Sequence, residues 1–372
     1  MNISAMSASR LCVLLAISLS NFACGPANLT LPVPTSESPS QPQLSSTPSS
    51  PPPIVIENYS DILYETVFTI PVGEAGVAYR GVDMPGMEIT GPNALAILSD
   101  MSVVVADLIG NRLLSYDSKG KLLEAVDLYS QEIVNIWDLR TFKDELILLE
   151  ISLNISPERY RVNRLSANGR LIAAYDIPRG YHLQDGLTGI AVDCEGQILL
   201  EMKSGYKYYR LVDSAGNLNF SDTNNDYLCS GKSYRVVGSD IGKPAKLAAG
   251  NVELETQFTV GLGGLRLLGV LADGSVYVVR EDVVAEQPMI TVDQTVHYIS
   301  ANGLQLGVAR APIAEAYYYV MRNLAIGPDG YVYSLLPRPS DVHIIRLKLF
   351  KSIEPLVPRA VAPLVTRSDG KP

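Results

Sequence analysis

Tryptophan and phenylalanine are scarce in this 372-residue chain, at 1 and 6 copies, and there are only 3 His and 4 Cys. With no Cys/His spacing among them, a zinc site has no support. Charge is also sparse: 19% of residues are charged, 30 Lys and Arg stand against 39 Asp and Glu, and no basic run occurs. A net charge of -9 without a basic stripe excludes a nucleic-acid phosphate backbone as partner. No apolar run is long enough to span a bilayer; LCVLLAISL, residues 11–19, is too short. No GxSxG elbow, HExxH pair or Walker loop is present, so those enzyme classes lack support, and the lone cluster Gly261-Leu262-Gly263-Gly264 reads as a strand break. What the chain does hold is 47% hydrophobic residues, 20 Tyr, 29 Gly and 24 Pro. That is material for a large buried core with many turns, and it leans to β structure.

Residues 1–23 carry one charge, Arg10, then the apolar run, then Ser20-Asn21-Phe22 and the small Ala23 before Cys24. This is the plan of a secretory signal. Cys24, flanked by Ala23 and Gly25, resembles the lipobox of bacterial lipoproteins, which implies cleavage and a lipid on Cys24. The usual lipobox has Leu and a small residue where Asn21 and Phe22 stand. The alternative is plain secretion after a cut near Ala23. Residues 25–53 hold 9 Pro, 7 Ser and 3 Thr with Glu37 as the only charge, so the 24–53 segment is expected to be a disordered linker reaching up to roughly 90 Å. The layout implied is a folded domain, residues 54–350, held in the cell envelope on the extracytoplasmic side of a membrane, with a 351–372 tail. Two cysteines remain in the domain, Cys194 and Cys229. They either form a disulfide, closing a loop worth roughly 3–4 kcal/mol, or stay as two buried thiols.

From residue 91 onward one phrase recurs: strand, tight turn, strand, loop, strand, Gly turn, strand. First turns fall at Asp100, Asp144, Glu195-Gly196, Asp273-Gly274 and Asp329-Gly330, spaced 44, 51, 78 and 56 residues apart. Second turns fall at Lys119-Gly120, Asn168-Gly169, Ala215-Gly216 and Asn302-Gly303. Asn-Gly and Asp-Gly tolerate the positive φ that hairpin turns need. The long gap has room for one degenerate unit drawn from residues 233–238, 245–250 and 252–260. Four-strand units of 40 to 50 residues mark an all-β fold, the β-propeller. Six four-stranded blades are expected, with five as the alternative. The last unit lacks its closing strand, and ETVFTIPV, residues 65–72, has the pattern to supply it beside residues 342–350.

The repeat resembles that of NHL propellers, GPxGIAVDxxGxIYVADxxNxRIxxFDxxG. Residues 91–120 carry it best through Gly91-Pro92, Asp100, Ala106-Asp107, Asn111-Arg112, Tyr116-Asp117 and Gly120; residues 189–193 and 324–330 match its first half. The resemblance implies a propeller and no particular activity. Trp137-Asp138 is a single pair without a Gly-His partner and does not indicate a WD40 repeat.

Three acids recur just after the second strand of a unit: Asp107, Glu150 and Glu201. As a ring on one propeller face they would bind Ca²⁺ or a cationic partner; alternatively each pairs with a loop or Arg of its own blade. No cofactor beyond that Ca²⁺ is indicated. His297 and His343 sit in apolar strands and read as packed side chains, whereas His182 in the polar loop RGYHLQDG is expected to face solvent. Tyr206, Tyr208 and Tyr209, with Tyr317, Tyr318 and Tyr319, could line a sugar- or peptide-binding surface, although strand alternation assigns half of each set to the core. The reading is a lipid-anchored binding module for a protein, peptide or glycan. The alternative is a metal-dependent propeller hydrolase of the gluconolactonase type.

Overall fold

Each strand-turn phrase folds as an antiparallel hairpin pair. The computed structural model describes residues 63–349 apart from 75, 83–88, 154–157, 204–206, 223–226, 230, 238–244, 250–251, 257–262, 286–290, 302–303 and 321. The expected signal segment 1–23, Cys24, the 24–53 linker and the 351–372 tail lie outside the described residues, as does Tyr206.

The chain opens with β1 (Tyr64–Pro71), which joins the last sheet rather than the first. The first blade follows as β2 (Ala94–Ile97), β3 (Val103–Asp107), β4 (Arg112–Tyr116) and β5 (Leu122–Asp127). The second is β6 (Ile136–Phe142), β7 (Glu145–Ser152), β8 (Arg159–Leu165) and β9 (Leu171–Asp176). The third is β10 (Leu187–Val192), β11 (Ile198–Met202), β12 (Lys207–Val212) and β13 (Leu218–Asp222). The degenerate stretch forms a fourth, β14 (Tyr227–Cys229), β15 (Lys232–Val237), β16 (Ala245–Ala249) and β17 (Val252–Thr256). The fifth is β18 (Gly263–Val270), β19 (Val276–Ala285), β20 (Thr291–Ile299) and β21 (Gln305–Ala311). The last comprises β22 (Leu324–Ile326), β23 (Val332–Pro337) and β24 (Asp341–Leu347), and β1 completes it. The result is six four-stranded antiparallel sheets in a propeller arrangement.

Burial explains the strand composition. Every residue of β3 (VVVAD) is buried, while β5 (LLEAVD) is almost wholly exposed. A middle strand sandwiched between two blades must be apolar on both faces, which is why it reads as a continuous hydrophobic run; an outer strand has no such demand. Successive residues serve opposite neighbours. Leu148 packs towards Val104 and Leu113 of the first blade, whereas Ile147 and Leu149 pack towards Ile190 and Leu200 of the third. Five hydrophobic clusters fill the spaces between sheets in this way.

The turn acids work locally. Asp117 Oδ1 accepts the backbone N–H of Lys119 and Lys121, both at 2.9 Å, and Asp213 does the same for Ala215 and Asn217 at 3.0 and 2.9 Å. These bonds hold both carboxyls below their ordinary range. Gly120 closes the first of these turns at φ +84, and a Cβ there would stand 2.6 Å from Cβ of Phe68 in β1.

Strand β1 lies antiparallel to β24, with Tyr64 opposite Leu347 and Pro71 opposite Asp341. The N-terminal strand therefore closes the blade made by the C-terminal end, as its pattern implied. Among the described residues, no helix is long and apolar enough to cross a membrane.

Candidate functional site

The first strand of each blade is the innermost, and these strands wall a central cavity of about 170 Å³. Leu95, Leu139, Ile190, Tyr227, Leu267 and Ile326 supply one wall position per blade. Arg140 and Glu201 bring charge to this wall, beside Thr141 and Tyr227.

Those charges belong to a buried network that crosses between blades. Asp138, fully buried on β6, accepts the backbone N–H of Leu139 at 2.8 Å and of Ile190 at 2.9 Å. Arg140 Nη2 lies 3.3 Å from its carboxylate and Arg322 Nε 3.5 Å. Arg322, just before β22, also donates through Nη2 to Glu201 Oε1 at 2.8 Å and to the Thr188 carbonyl at 2.7 Å. Gly189 makes room for this: a Cβ there would fall inside contact distance of Arg322 Nη2 and 2.6 Å from Asp138 Oδ2. Burial raises the Glu201 carboxyl, but Arg322, Arg266 and Arg140 outweigh it and hold the group below its ordinary value. Burial lowers Arg140, with Asp138 opposing and the nearby charges of Arg322 and Arg266 adding to the shift. Burial also lowers Arg322, yet Glu201 and Asp138 reverse this and leave it raised.

A second polar set adjoins it. Arg266, on β18 and 6% exposed, has its Nη2 at 3.9 Å from Glu281 Oε1. Gln294 Nε2 donates to that same oxygen at 2.8 Å, and Asn323 Nδ2 donates to Gln294 Oε1 at 3.0 Å. Tyr319, just before Asn323 of this set in sequence, is exposed.

The three acids singled out in the sequence are not brought together. Asp107 binds Arg112 Nε at 2.9 Å and the N–H of Gly110 and Ala78 at 3.2 and 3.3 Å. Glu150 is held by Asn163 Nδ2 at 3.0 Å and Arg159 at 3.5 Å. Both are fully buried within their own blade, so neither lines an open face; each neutralises a local Arg and ties loop backbone to the strand. Only Glu201 reaches the channel wall, through a partner from another blade. Among the described residues no group of three or more His, Cys, Asp or Glu is placed to hold a metal ion. His182 is half-buried rather than solvent-facing, its ring stacked 3.8 Å from that of Tyr160 and its Nε2 3.2 Å from the Ile177 carbonyl. His297 is packed, as expected, and His343 pairs with Asp341 at 3.0 Å. Cys194 and Cys229 are joined as a disulfide, with Cα atoms 5.0 Å apart, linking a third-blade turn to β14. Tyr208 is buried, while Tyr209 stacks with Phe220 at 6.0 Å and meets Tyr181 edge-on at 4.6 Å. Tyr317 and Tyr318 pack on Tyr79 at 6.2 and 5.5 Å, which leaves Tyr319 as the exposed member of its run.

Asp138, Arg140, Arg266 and Arg322 were not singled out from the sequence. Their signal was present: an Arg interrupts the apolar first strand, or its entry, in three units, LRTF, LRLLG and MRNLAIG. A buried charge in such a position demands a partner.

No protein-family model matches the chain, nor does any curated protein sequence. Solved structures similar to it include a DUF4221 family member from Bacteroides vulgatus, 10% identical, covering 78% of this chain and 99% of that one with TM-score 0.46. Virginiamycin B lyase from Staphylococcus aureus is 12% identical, with 70% and 96% covered and TM-score 0.42. A gluconolactonase from Xanthomonas campestris is 14% identical, with 77% and 100% covered and TM-score 0.39. At these identities the likeness is one of fold.

Proposed function

We propose that this protein is a β-propeller binding module for a protein, peptide or glycan, displayed on the extracytoplasmic side of a membrane by a lipid on Cys24. The observation that carries the reading is the way the channel carboxylates are used. Asp138 is committed to Arg140, Arg322 and two backbone N–H donors, and Glu201 to Arg322 and the Thr188 hydroxyl, with Arg322, Arg266 and Arg140 holding the Glu201 carboxyl below its ordinary value, so Glu201 is not poised as a general acid. A site of fixed, mutually neutralised charges suits recognition. The signal-like residues 1–23, the Cys24 context and the proline-rich linker support the tether.

Two measurements test this. Mass spectrometry of the mature chain should find residues 1–23 removed and Cys24 acylated; an unmodified N-terminus would replace the tether with secretion. Crosslinking of the full chain in cell envelopes should capture a defined partner. Failure to capture one, together with lactone turnover abolished by chelation, would replace binding with hydrolysis of the gluconolactonase type.

A further inference from the structure

The innermost strand of each blade has one edge without a partner strand, and that edge faces the channel. In an antiparallel ladder alternate residues bond the partner strand, while those between them aim N–H and C=O the other way. The first turns fix which residues these are. Gly327 donates to the Tyr331 carbonyl at 2.8 Å, Asp193 to Gln197 at 3.1 Å and Leu271 to Ser275 at 2.8 Å. Ile326, Val192 and Val270, one residue earlier, therefore turn their backbone groups to the channel. Thr141 holds the same place one residue ahead of the 142–145 hairpin end. All four line the cavity and all four are half-buried, so the surface they offer it includes backbone as well as side chain.

Deeper in the second and third blades such groups are already used. Asp138 takes the N–H of Leu139 and of Ile190. Arg140 donates through Nε to the Ile190 carbonyl at 3.0 Å and through Nη1 to that of Leu139 at 3.4 Å, and the Tyr227 hydroxyl donates to the Val192 carbonyl at 2.7 Å. Nearer the turns the edge is open: among the described residues nothing bonds the inward N–H and C=O of Thr141 and Ile326, or the N–H of Val192. Arg140 stands beside this open edge with its side chain 16% exposed to the cavity. A second N–H on each of its terminal nitrogens has no partner among the described residues. Its carboxylate neighbour, Asp138 at 3.3 Å, is shared with Arg322, so the neutralisation of Arg140 is incomplete. Glu201, the acid of the wall, is 2% exposed and engaged by Arg322.

We infer that the channel takes an N-acylated amino acid with a free carboxylate, the chemistry of a peptide C-terminus. The carboxylate sits on the spare N–H groups of Arg140, and the adjoining peptide N–H and C=O bond the open edges at Thr141 and Ile326. Strand edges recognise peptide backbone in this way, and a guanidinium recognises a carboxylate. A neutral sugar would bring no charge to Arg140, and an apolar acid would leave the strand edges unbonded. The cavity measures about 170 Å³. A cavity of about 150 Å³ admits benzene, so this space takes one small residue with its peptide group. The inference deepens the binding-module reading and rests on it.

The test is calorimetric titration of the full chain with N-acetylalanine, its amide, and acetate. N-acetylalanine should bind one to one; the amide, which lacks the charge, and acetate, which lacks the peptide group, should each bind about tenfold more weakly or worse, as should N-acetylalanine to Arg140→Gln. Absent binding of N-acetylalanine, equal binding of either analogue, or unchanged affinity in R140Q would each overturn the inference. If R140Q does not fold, the wild-type chain still decides the matter: amide exchange at Thr141 and Ile326 should slow on saturation with N-acetylalanine, and unchanged exchange there refutes the site. Displacement by a longer alanine-terminated peptide assigns the site to a chain end, and no displacement assigns it to a free small acid; both sustain the site. Envelope crosslinking separates the two levels. A captured partner with no N-acetylalanine binding removes this inference alone, whereas no partner with N-acetylalanine bound removes the macromolecular ligand and leaves the channel site.

Discussion

Arg322 Nη2 and Glu201 Oε1 meet at 2.8 Å although 121 residues separate them, so the entry to β22 is bonded to the second strand of the third blade. The same guanidinium reaches Asp138 of the second blade at 3.5 Å. One side chain thus links three blades at the channel. A buried ion pair adds little net stability over a well-packed apolar pair, but removing one partner leaves charge buried and uncompensated.

Arg322→Met is therefore expected to destabilise the fold by about 3–5 kcal/mol, more than either carboxylate amide, because it strands two carboxylates at once. Urea unfolding of R322M, E201Q and the double variant checks this. The double variant should recover part of the loss, giving a clear coupling energy; strictly additive losses would show that the contact carries no energy of its own.

Gly189→Ala probes the same contact from the backbone side. The added methyl would crowd Arg322 Nη2 and Asp138 Oδ2, displacing the guanidinium from Glu201. A loss of about 1–3 kcal/mol is expected from overpacking, and it should shrink in the R322M background, where the guanidinium is gone and only the Asp138 Oδ2 contact remains. An undiminished loss in that background would place the strain elsewhere.

How much of this was legible depends on the range of the interaction. The blade units were readable because Asp117, Gly120 and Asp213 act within four residues, so the chain order itself displays the turn. The closing role of β1 was readable because an unpaired last unit and an orphan strand of matching pattern stand at opposite termini. Glu201 looked identical to Asp107 and Glu150 in local phrase, yet its partner comes from 121 residues away while theirs lie within their own blade. No local spacing distinguishes the three. Asp138 was set aside as half of a Trp-Asp pair, although its burial between two arginines gives it the larger part in the channel.

His297 gives the fold a pH dependence. It is buried on β20, with Nδ1 3.1 Å from Gln305 Oε1 and Nε2 3.1 Å from Thr295 Oγ1, so the neutral ring donates from Nδ1 and accepts at Nε2. Burial pulls its pKa down to about 4, the Gln305 bond opposes this, and the charge of Arg280 adds to it. The unfolded chain takes up a proton near pH 6.5 while the folded chain resists until about 4, so the stability is complete above pH 6.5 and is lost as pH falls towards 4. About 2 kcal/mol should disappear between pH 7.5 and 5. His297→Gln should flatten that segment of the stability profile measured by urea midpoints; an equally steep profile would assign the titration to other groups.

The ring closure rests on a few side chains of β1. Ile70 is fully buried and Phe68 packs its ring 5.6 Å from that of Tyr116, so β1 binds the first blade through its face and the last blade through its ladder with β24. Without it, β24 presents an open edge and the first and last blades lose their shared cluster. Ile70→Ala should cost about 2–5 kcal/mol through the cavity it leaves. If β1 is the latch, hydrogen exchange in I70A should rise first at the β24 amides facing β1, such as Ile344, while β7 and β8 keep their protection. Uniform acceleration across all blades would instead mean that the ring opens only by global unfolding, with β1 no weaker than any other strand.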